Sequence, residues 1–254
     1  MLIRNDKGFY TLSTWNQFKD LINAFSTREF GNMKPKNIDQ KVDAENNFNK
    51  FLNVFKFAVR DVVRAEQVHS NKISVVNHKN AGQTIKNTDG LVTKAKNLLL
   101  AVFVADCYPI FAYDPEKEII GAVHAGWRSS LLGISKNLID SFKRLGSDTN
   151  KIYVGIGPGI EFCHYEVKKE IARKFEEAAL GNSILRSISG KIYLDLKRVN
   201  VDQLVSAGVR KENIDVSIKA CTYESGDFYS FRREGKNLSG EIAAVIGLPA
   251  GRQV

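Results

Sequence analysis

From Val59 to His124 the chain is a succession of short apolar runs rich in β-branched residues, and this series limits the fold more than any other feature. The runs are Val59–Val63, Lys72–Val76, Gly90–Thr93, Leu98–Ala105, Pro109–Tyr113 and Ile119–His124, separated by turn formers such as Thr88-Asp89-Gly90 and Asp114-Pro115-Glu116. Runs this short, so closely punctuated, leave no room for long helices, so the section reads as a sheet. The longest, Leu98–Ala105, is uncharged but only of strand length, and a bilayer span needs roughly 20 apolar residues. No membrane association is expected.

The flanks supply helices and edges. Phe48, Phe51, Leu52 and Phe55 fall at the i, i+3, i+4, i+7 positions of an amphipathic helix within Val42–Phe57, preceded by a polar loop over Asn32–Gln40. Gly8–Ser13 suits an edge strand. After His124, a helix over Leu131–Leu145 is expected, capped by Ser129 or Ser130 and closed by Gly146. Further on, the pattern predicts a strand at Lys151–Ile156, helices at Glu166–Leu180 and Leu194–Ala207, and strands at Val216–Ile218 and Glu241–Ile246. Helices alternate only partly with strands, and no repeat or linker divides the 254 residues. The expected fold class is α/β (α+β), with residues 1–254 forming a single domain of layered mixed β-sheets flanked by helices.

A net charge of +9 raises the question of a polyanionic partner. The cations are interleaved with acids, as in Lys168-Lys169-Glu170, rather than gathered into a basic stripe with aromatic platforms, so no nucleic-acid partner is expected. The N-terminal residues MLIRNDKGFYTLSTW carry neither a long apolar segment after the basic residue nor a small-residue cleavage site, which points to a cytoplasmic protein. Three widely separated cysteines form no disulfide framework; metal binding, catalysis or simple burial are the alternatives.

The chemistry is concentrated in Leu98–Arg128. One apolar run leads to Cys107 and another to His124, an arrangement suited to neighbouring strands delivering a thiolate and an imidazole to one sheet edge. A third donor is available upstream at His69. Spacings of 38 residues from His69 to Cys107 and 17 from Cys107 to His124 exclude a local knuckle and suit ligands assembled by a sheet. Two His and one Cys suit Zn²⁺ with a fourth position left for a reactant, and such an ion brings the pKa of water to roughly 7. Copper is the alternative metal, although one such site lacks the set of centres that multi-electron oxygen reduction requires. Asp106 is either a turn former ahead of Pro109 or an acceptor for a ligand imidazole and a proton carrier. Arg128 is either an exposed structural cation or a phosphate or carboxylate holder.

Gly155–Val167 places glycines between a strand and a helix, but without the spacing of a phosphate loop. The adjacent Cys163 and His164 do not make a nucleophile pair by adjacency alone, because neighbours in a strand face apart. Cys221-Thr222-Tyr223 and Phe228–Arg233 set aromatics beside arginines, which suits either a purine and phosphate or an ordinary packed edge.

Gln67-Val68-His69, Thr88–Thr93, Ala105-Asp106-Cys107-Tyr108-Pro109, Ala122–Arg128, Ile156-Gly157-Pro158 with Tyr165-Glu166-Val167, and Phe231–Gly235 together resemble the laccase-domain family. Its members carry the names multicopper polyphenol oxidoreductase and purine nucleoside phosphorylase. The matches run in order from about Phe25 to Leu248. The resemblance implies a zinc site at His69, Cys107 and His124 within a single α/β domain. It also implies phosphorolysis of purine nucleosides such as adenosine, inosine, guanosine and methylthioadenosine, with phosphate as co-substrate, and deamination of adenosine at the same site. Catalytic roles then fall on His69, Cys107, His124 and Asp106, and substrate binding on Arg28, Arg128 and Arg233. Copper-dependent phenol oxidation is the alternative activity, and some relatives are connected with editing of cell-envelope precursors. The chain departs from the family pattern at Glu29-Phe30-Gly31, Ser129, Gly159, Cys163-His164-Tyr165 and Gly240-Glu241, which leaves the three donors intact and alters the surroundings. No oligomeric state follows from these residues.

Overall fold

Alternation along the strands decides how the layers stack. In a computed structural model that describes residues 2–250 apart from 36, 179, 181–183 and 217–219, the chain opens with β1 (Leu2–Arg4), β2 (Tyr10–Leu12), β3 (Ile22–Phe25) and helix α1 (Lys41–Asn53). β4 (Val62–Ala65), β5 (Ile73–Val75), β6 (Thr84–Ile85) and β7 (Gly90–Thr93) lead into the long strands β8 (Leu99–Val104), β9 (Tyr108–Asp114) and β10 (Ile119–Ala125). There follow α2 (Trp127–Leu131), α3 (Ile134–Arg144), β11 (Tyr153–Ile156), β12 (Glu166–Val167), α4 (Lys169–Glu177), β13 (Leu185–Ile188) and β14 (Lys191–Leu194). The chain closes with α5 (Leu196–Ser206), β15 (Ile214–Val216), α6 (Phe231–Glu234) and β16 (Ile242–Gly247).

These strands form two mixed sheets, in the orders β1-β2-β3-β16-β8-β4-β6 and β15-β11-β9-β10-β7-β5, with a small antiparallel sheet β12-β14-β13 beside them. Leu100 and Val102 of β8 meet Phe111 and Tyr113 of β9 and Ile120 and Ala122 of β10 between the two large sheets. On the outer side of the first sheet, Leu99, Ala101 and Phe103 pack on Phe48, Phe51 and Leu52 of α1. Ile110, Ala112 and Val123 face Leu138, Ile139 and Phe142 of α3 on the outer side of the second. Both faces of β8 and β9 are therefore covered, which is why their sequences are continuously apolar rather than alternating. Helix α3 lies so close to β10 that a Cβ at Gly121 would stand 2.8 Å from Leu138 and 2.9 Å from Phe142. The layered mixed α/β domain is as expected, and among the described residues no helix is long and apolar enough to cross a membrane.

Several boundaries differ from the expectations. The helix expected over Leu131–Leu145 is two helices, broken where Gly133 adopts φ +84°. Ser129 and Ser130 are not its caps: they lie buried inside α2, whose N-cap is Gly126. The helix expected from Glu166 begins only at Lys169, because Glu166 and Val167 pair with Tyr193 and Ile192. Leu194 likewise ends β14 rather than opening α5. The last strand before Cys221 runs over Ile214–Val216, so the expectation for Ser217 and Ile218 lies outside the described residues.

The sandwich depends on a few large side chains at its centre, among them Phe111, fully buried and stacked on Phe25 at 5.0 Å. Phe111→Ala is expected to lower stability by about 3–5 kcal/mol, read as a lower urea midpoint with the slope unchanged.

Candidate metal centre

The chain passes from the first sheet to the second three times at one edge, after β4, β6 and β8. β4 and β8 are parallel neighbours, pairing Val62 with Leu99, so both end on the same side of the sheet. The connection after β4 carries His69 on its way to β5, and Ala105–Cys107 joins β8 to β9. Cys107 therefore stands not at the end of the strand it follows but at the start of the next. There the antiparallel register sets Tyr108 opposite Ala125 and Pro109 opposite His124. This brings Gly126 against the thiol: a Cβ at Gly126 would lie 3.0 Å from Cys107 Sγ and 3.0 Å from His69 Cδ2. Glycine is needed there for space, not for its backbone freedom.

His69, Cys107 and His124 each turn one donor atom into a common space, all within 4.8 Å of one another. The two imidazoles stand edge to face, with centroids 4.8 Å apart at 86°. All three cysteines of the chain are free, so Cys107 keeps its thiol for this site.

A carboxylate absent from the sequence expectation holds the histidines. Asp89, fully buried, accepts hydrogen bonds from the main-chain amides of Val68 at 3.1 Å, His69 at 2.9 Å and Ser70 at 2.7 Å, and from the Ser70 hydroxyl at 2.9 Å. Its Oδ1 also lies 3.0 Å from His124 Nδ1, and its carbonyl oxygen accepts from the His124 amide at 2.8 Å. Three successive amides reach one carboxylate because Gln67 and His69 both adopt left-handed backbone, at φ +64° and +61°. Gln67 is locked in turn by a pair of side-chain bonds to the main chain of Phe103, at 2.6 and 2.8 Å. With Nδ1 facing Asp89, the Nε2 of His124 is the atom free to face Cys107.

The charges reinforce one another. Burial favours neutral Asp89, but the bonds from His124 and Ser70 prevail and hold its pKa down to about 2. Burial also pushes the Cys107 thiol up, yet the His124 and His69 imidazoles outweigh it and lower the pKa to about 7. His124 is raised despite its burial, by the Cys107 sulfur and by Asp89. The resulting thiolate and imidazolium suit ligation, because a cation at the centre displaces the imidazolium proton and takes the thiolate directly.

The remaining expected residues sort differently. Asp106, buried and at φ +89°, does not face a ligand imidazole: its carboxylate accepts from the Thr222 hydroxyl and the Arg232 amide, both at 2.6 Å. Asp89 occupies the place expected for it. Arg233 spends its guanidinium on the carbonyls of Thr222, Tyr223, Ser225 and Phe228, at 2.6–3.0 Å, and does not present it to a reactant. Arg28 is bound to Glu234 at 2.7 Å and lies over the Tyr229 ring at 4.6 Å. Arg128 is exposed and stacks over Trp127 at 4.4 Å. Tyr165 is a further neighbour: burial and the negative charges of Cys107 and Asp106 push its hydroxyl up against the opposing effect of Arg232 and Arg128. Cys163 and His164 stand apart from the Cys107 group and gather with Glu224.

Comparison with known proteins then fixes the lineage. The family model described as multi-copper polyphenol oxidoreductase laccase matches residues 23–249. The chain belongs to that family. A purine nucleoside phosphorylase of Deinococcus radiodurans is 35% identical over 235 residues, spanning 89% of this chain and 88% of that protein. A protein named adenosine deaminase RL5, from an unknown prokaryotic organism, is 31% identical over 187 residues, covering 70% of this chain and 71% of its own length. The crystal structure of YlmD from Geobacillus stearothermophilus superposes with a TM-score of 0.91 at 29% identity, covering 98% of this chain and 99% of that one. The laccase-type fold is thus shared across nearly the whole length, and a metal at His69, Cys107 and His124 is compatible with it.

The thiols of Cys107 and Cys163 should ionise on opposite sides of an ordinary thiol's pKa. In metal-free protein, alkylation of Cys107 by iodoacetamide is expected to be half-maximal near pH 7, since half its thiolate forms at a pKa of about 7. The more exposed Cys163, raised by burial and by Glu224, should require a pH above that of a free thiol. Mass spectrometry of peptides alkylated at pH 7 and pH 9 checks the order.

Proposed function

We propose that this chain is a zinc-dependent purine nucleoside phosphorylase, acting on adenosine, inosine, guanosine and methylthioadenosine, that also deaminates adenosine. The observation that carries the reading is the convergence of His69, Cys107 and His124 on one point, in a family whose members include proteins named for both reactions. Two imidazoles and a thiolate are a zinc donor set, and three protein ligands leave a fourth tetrahedral position for a reactant. The ion, when bound, supplies Lewis acidity and activates water at neutral pH.

The chain's own residues do the positioning. Asp89 fixes the His124 tautomer and, through the Val68, His69 and Ser70 amides, the backbone that carries His69. Gly126 lets the main chain pass against the donors without crowding them. Asp106 holds the turn before Cys107 to Thr222 and Arg232, which makes it a positioning residue in this reading rather than a proton carrier. Tyr165, its hydroxyl protonated at neutral pH, is a hydrogen-bond donor beside Cys107. Of the three arginines, Arg128 is the one assigned to phosphate in this reading, because Arg28 is paired with Glu234 and Arg233 with main-chain carbonyls. In phosphorolysis a phosphate oxygen bonds to the anomeric carbon as the glycosidic C–N bond breaks, and the leaving base takes a proton.

Zinc-loaded protein incubated with adenosine and phosphate should yield adenine from phosphorolysis and inosine and hypoxanthine from deamination and its sequel. Absence of all three overturns the reading, whereas stoichiometric zinc with phenol oxidation absent until copper is added would count against the copper-oxidase alternative. Arg128→Ala should raise the phosphate KM about 10- to 100-fold, the loss of one charge-assisted contact of roughly 1.5–3 kcal/mol. Asp89→Asn should weaken zinc affinity about 10- to 100-fold in chelator competition, because the imidazole loses its carboxylate partner.

A further inference from the structure

A second set of mixed donors lies outside the Cys107 centre. Cys163, His164 and Glu224 turn a sulfur, an imidazole nitrogen and a carboxylate oxygen to within 4.8 Å of one another. They come from two segments: the single turn Phe162–His164 between β11 and β12, and the loop at 220–226 that precedes α6.

Both segments are held before any ion arrives. The turn is closed by the His164 amide donating to Glu161 and the Tyr165 amide to Phe162, each at 3.0 Å. The loop is closed by the Ser225 amide donating to Cys221 at 3.0 Å. Gly159 ties the two together, its amide donating to Ala220 at 3.2 Å and its carbonyl accepting from Thr222 at 3.1 Å. The His164 ring lies flat on Tyr223, 4.5 Å between centroids at 17°, and its Nε2 meets Glu224 Oε1 at 2.7 Å. The imidazole is thus oriented from one side by an aromatic face and at its tip by a carboxylate.

Two observations point to a cation. A thiol, an imidazole and a carboxylate together select ions of zinc-like softness over magnesium or calcium, which prefer all-oxygen sets. Zinc–ligand bonds of about 2.0–2.3 Å place tetrahedral donors roughly 3.3–3.8 Å apart, so closing this set takes about 1 Å of movement. Cys163 and Glu224 are both exposed and able to move that far.

We propose that Cys163, His164 and Glu224 form a second divalent-cation site at the surface, of Zn²⁺ type, that clamps the 220–226 loop to the Phe162–His164 turn. That loop supplies the carbonyls of Thr222, Tyr223 and Ser225 to Arg233, and the Thr222 hydroxyl to Asp106 beside Cys107. An ion here therefore braces the wall on which the first centre rests without entering it.

The test uses Co²⁺ as a spectroscopic probe. Cys107→Ser protein titrated with Co²⁺ should develop near-ultraviolet thiolate-to-cobalt absorption, which Zn²⁺ displaces. Adding Cys163→Ser in that background should abolish it, and Glu224→Gln should weaken Co²⁺ binding at least tenfold. Independently, zinc bound per chain after equilibration in a zinc buffer should fall by one equivalent from wild type to Cys163→Ser, with circular dichroism unchanged. No thiolate band in Cys107→Ser, a band that persists without Cys163, or equal zinc content in wild type and Cys163→Ser would each overturn the proposal.

Discussion

The candidate centre depends on the burial of one charge. Asp89 is fully buried, and an isolated carboxylate there would be untenable, so the amides of Val68, His69 and Ser70, the Ser70 hydroxyl and the His124 ring are all turned to it. Meeting that requirement from the main chain forces Gln67 and His69 into left-handed backbone, a conformation that costs on the order of 1 kcal/mol per residue for non-glycine side chains. The same requirement recruits His124 from the neighbouring strand. Both imidazoles are thereby placed by a residue that is not itself among the donors. The strain in the His69 loop and the solvation of Asp89 are two sides of one arrangement.

The sequence carries the central strands plainly, because β8, β9 and β10 are covered on both faces and their apolar runs have no competing explanation. It carries α1 through the spacing of Phe48, Phe51 and Leu52, and the end of α5 through Gly208. It misleads where a local signal is overridden by a tertiary one. Ser129 and Ser130 have the chemistry of caps, but Ser129 turns back to the Gly126 amide and the His124 carbonyl, and Ser130 joins a buried network with Asn200. The short strands β13 and β14 are too exposed to leave an alternating pattern, so they are silent in the sequence.

The site divides in the same way. Cys107 and His124 are legible because each follows an apolar run, and His69 because a third donor is wanted and few histidines exist. Asp89 is hidden by its company: Thr88-Asp89-Gly90 has the composition of an ordinary turn, and nothing local shows that its carboxylate is the acceptor for a loop twenty residues upstream. Asp106 draws attention by adjacency to Cys107, although its bonds run the other way, to Thr222 and Arg232. The arginines are equally deceptive, since residue type shows the charge but not whether carbonyls already occupy it.

The donors are carried by the passages between the two large sheets, and this ties chemistry to architecture. His69 lies on the crossing after β4, Cys107 on the one after β8, and His124 at the end of a strand of the second sheet, while Asp89 lies on the crossing between them, after β6. An ion held by all three is a rivet through the seam of the sandwich. Sliding one sheet over the other by a single residue would pull the donors out of reach while leaving each sheet intact, so the centre senses the alignment of the layers. The site is accordingly complete only when segments far apart in the chain stand in their final register.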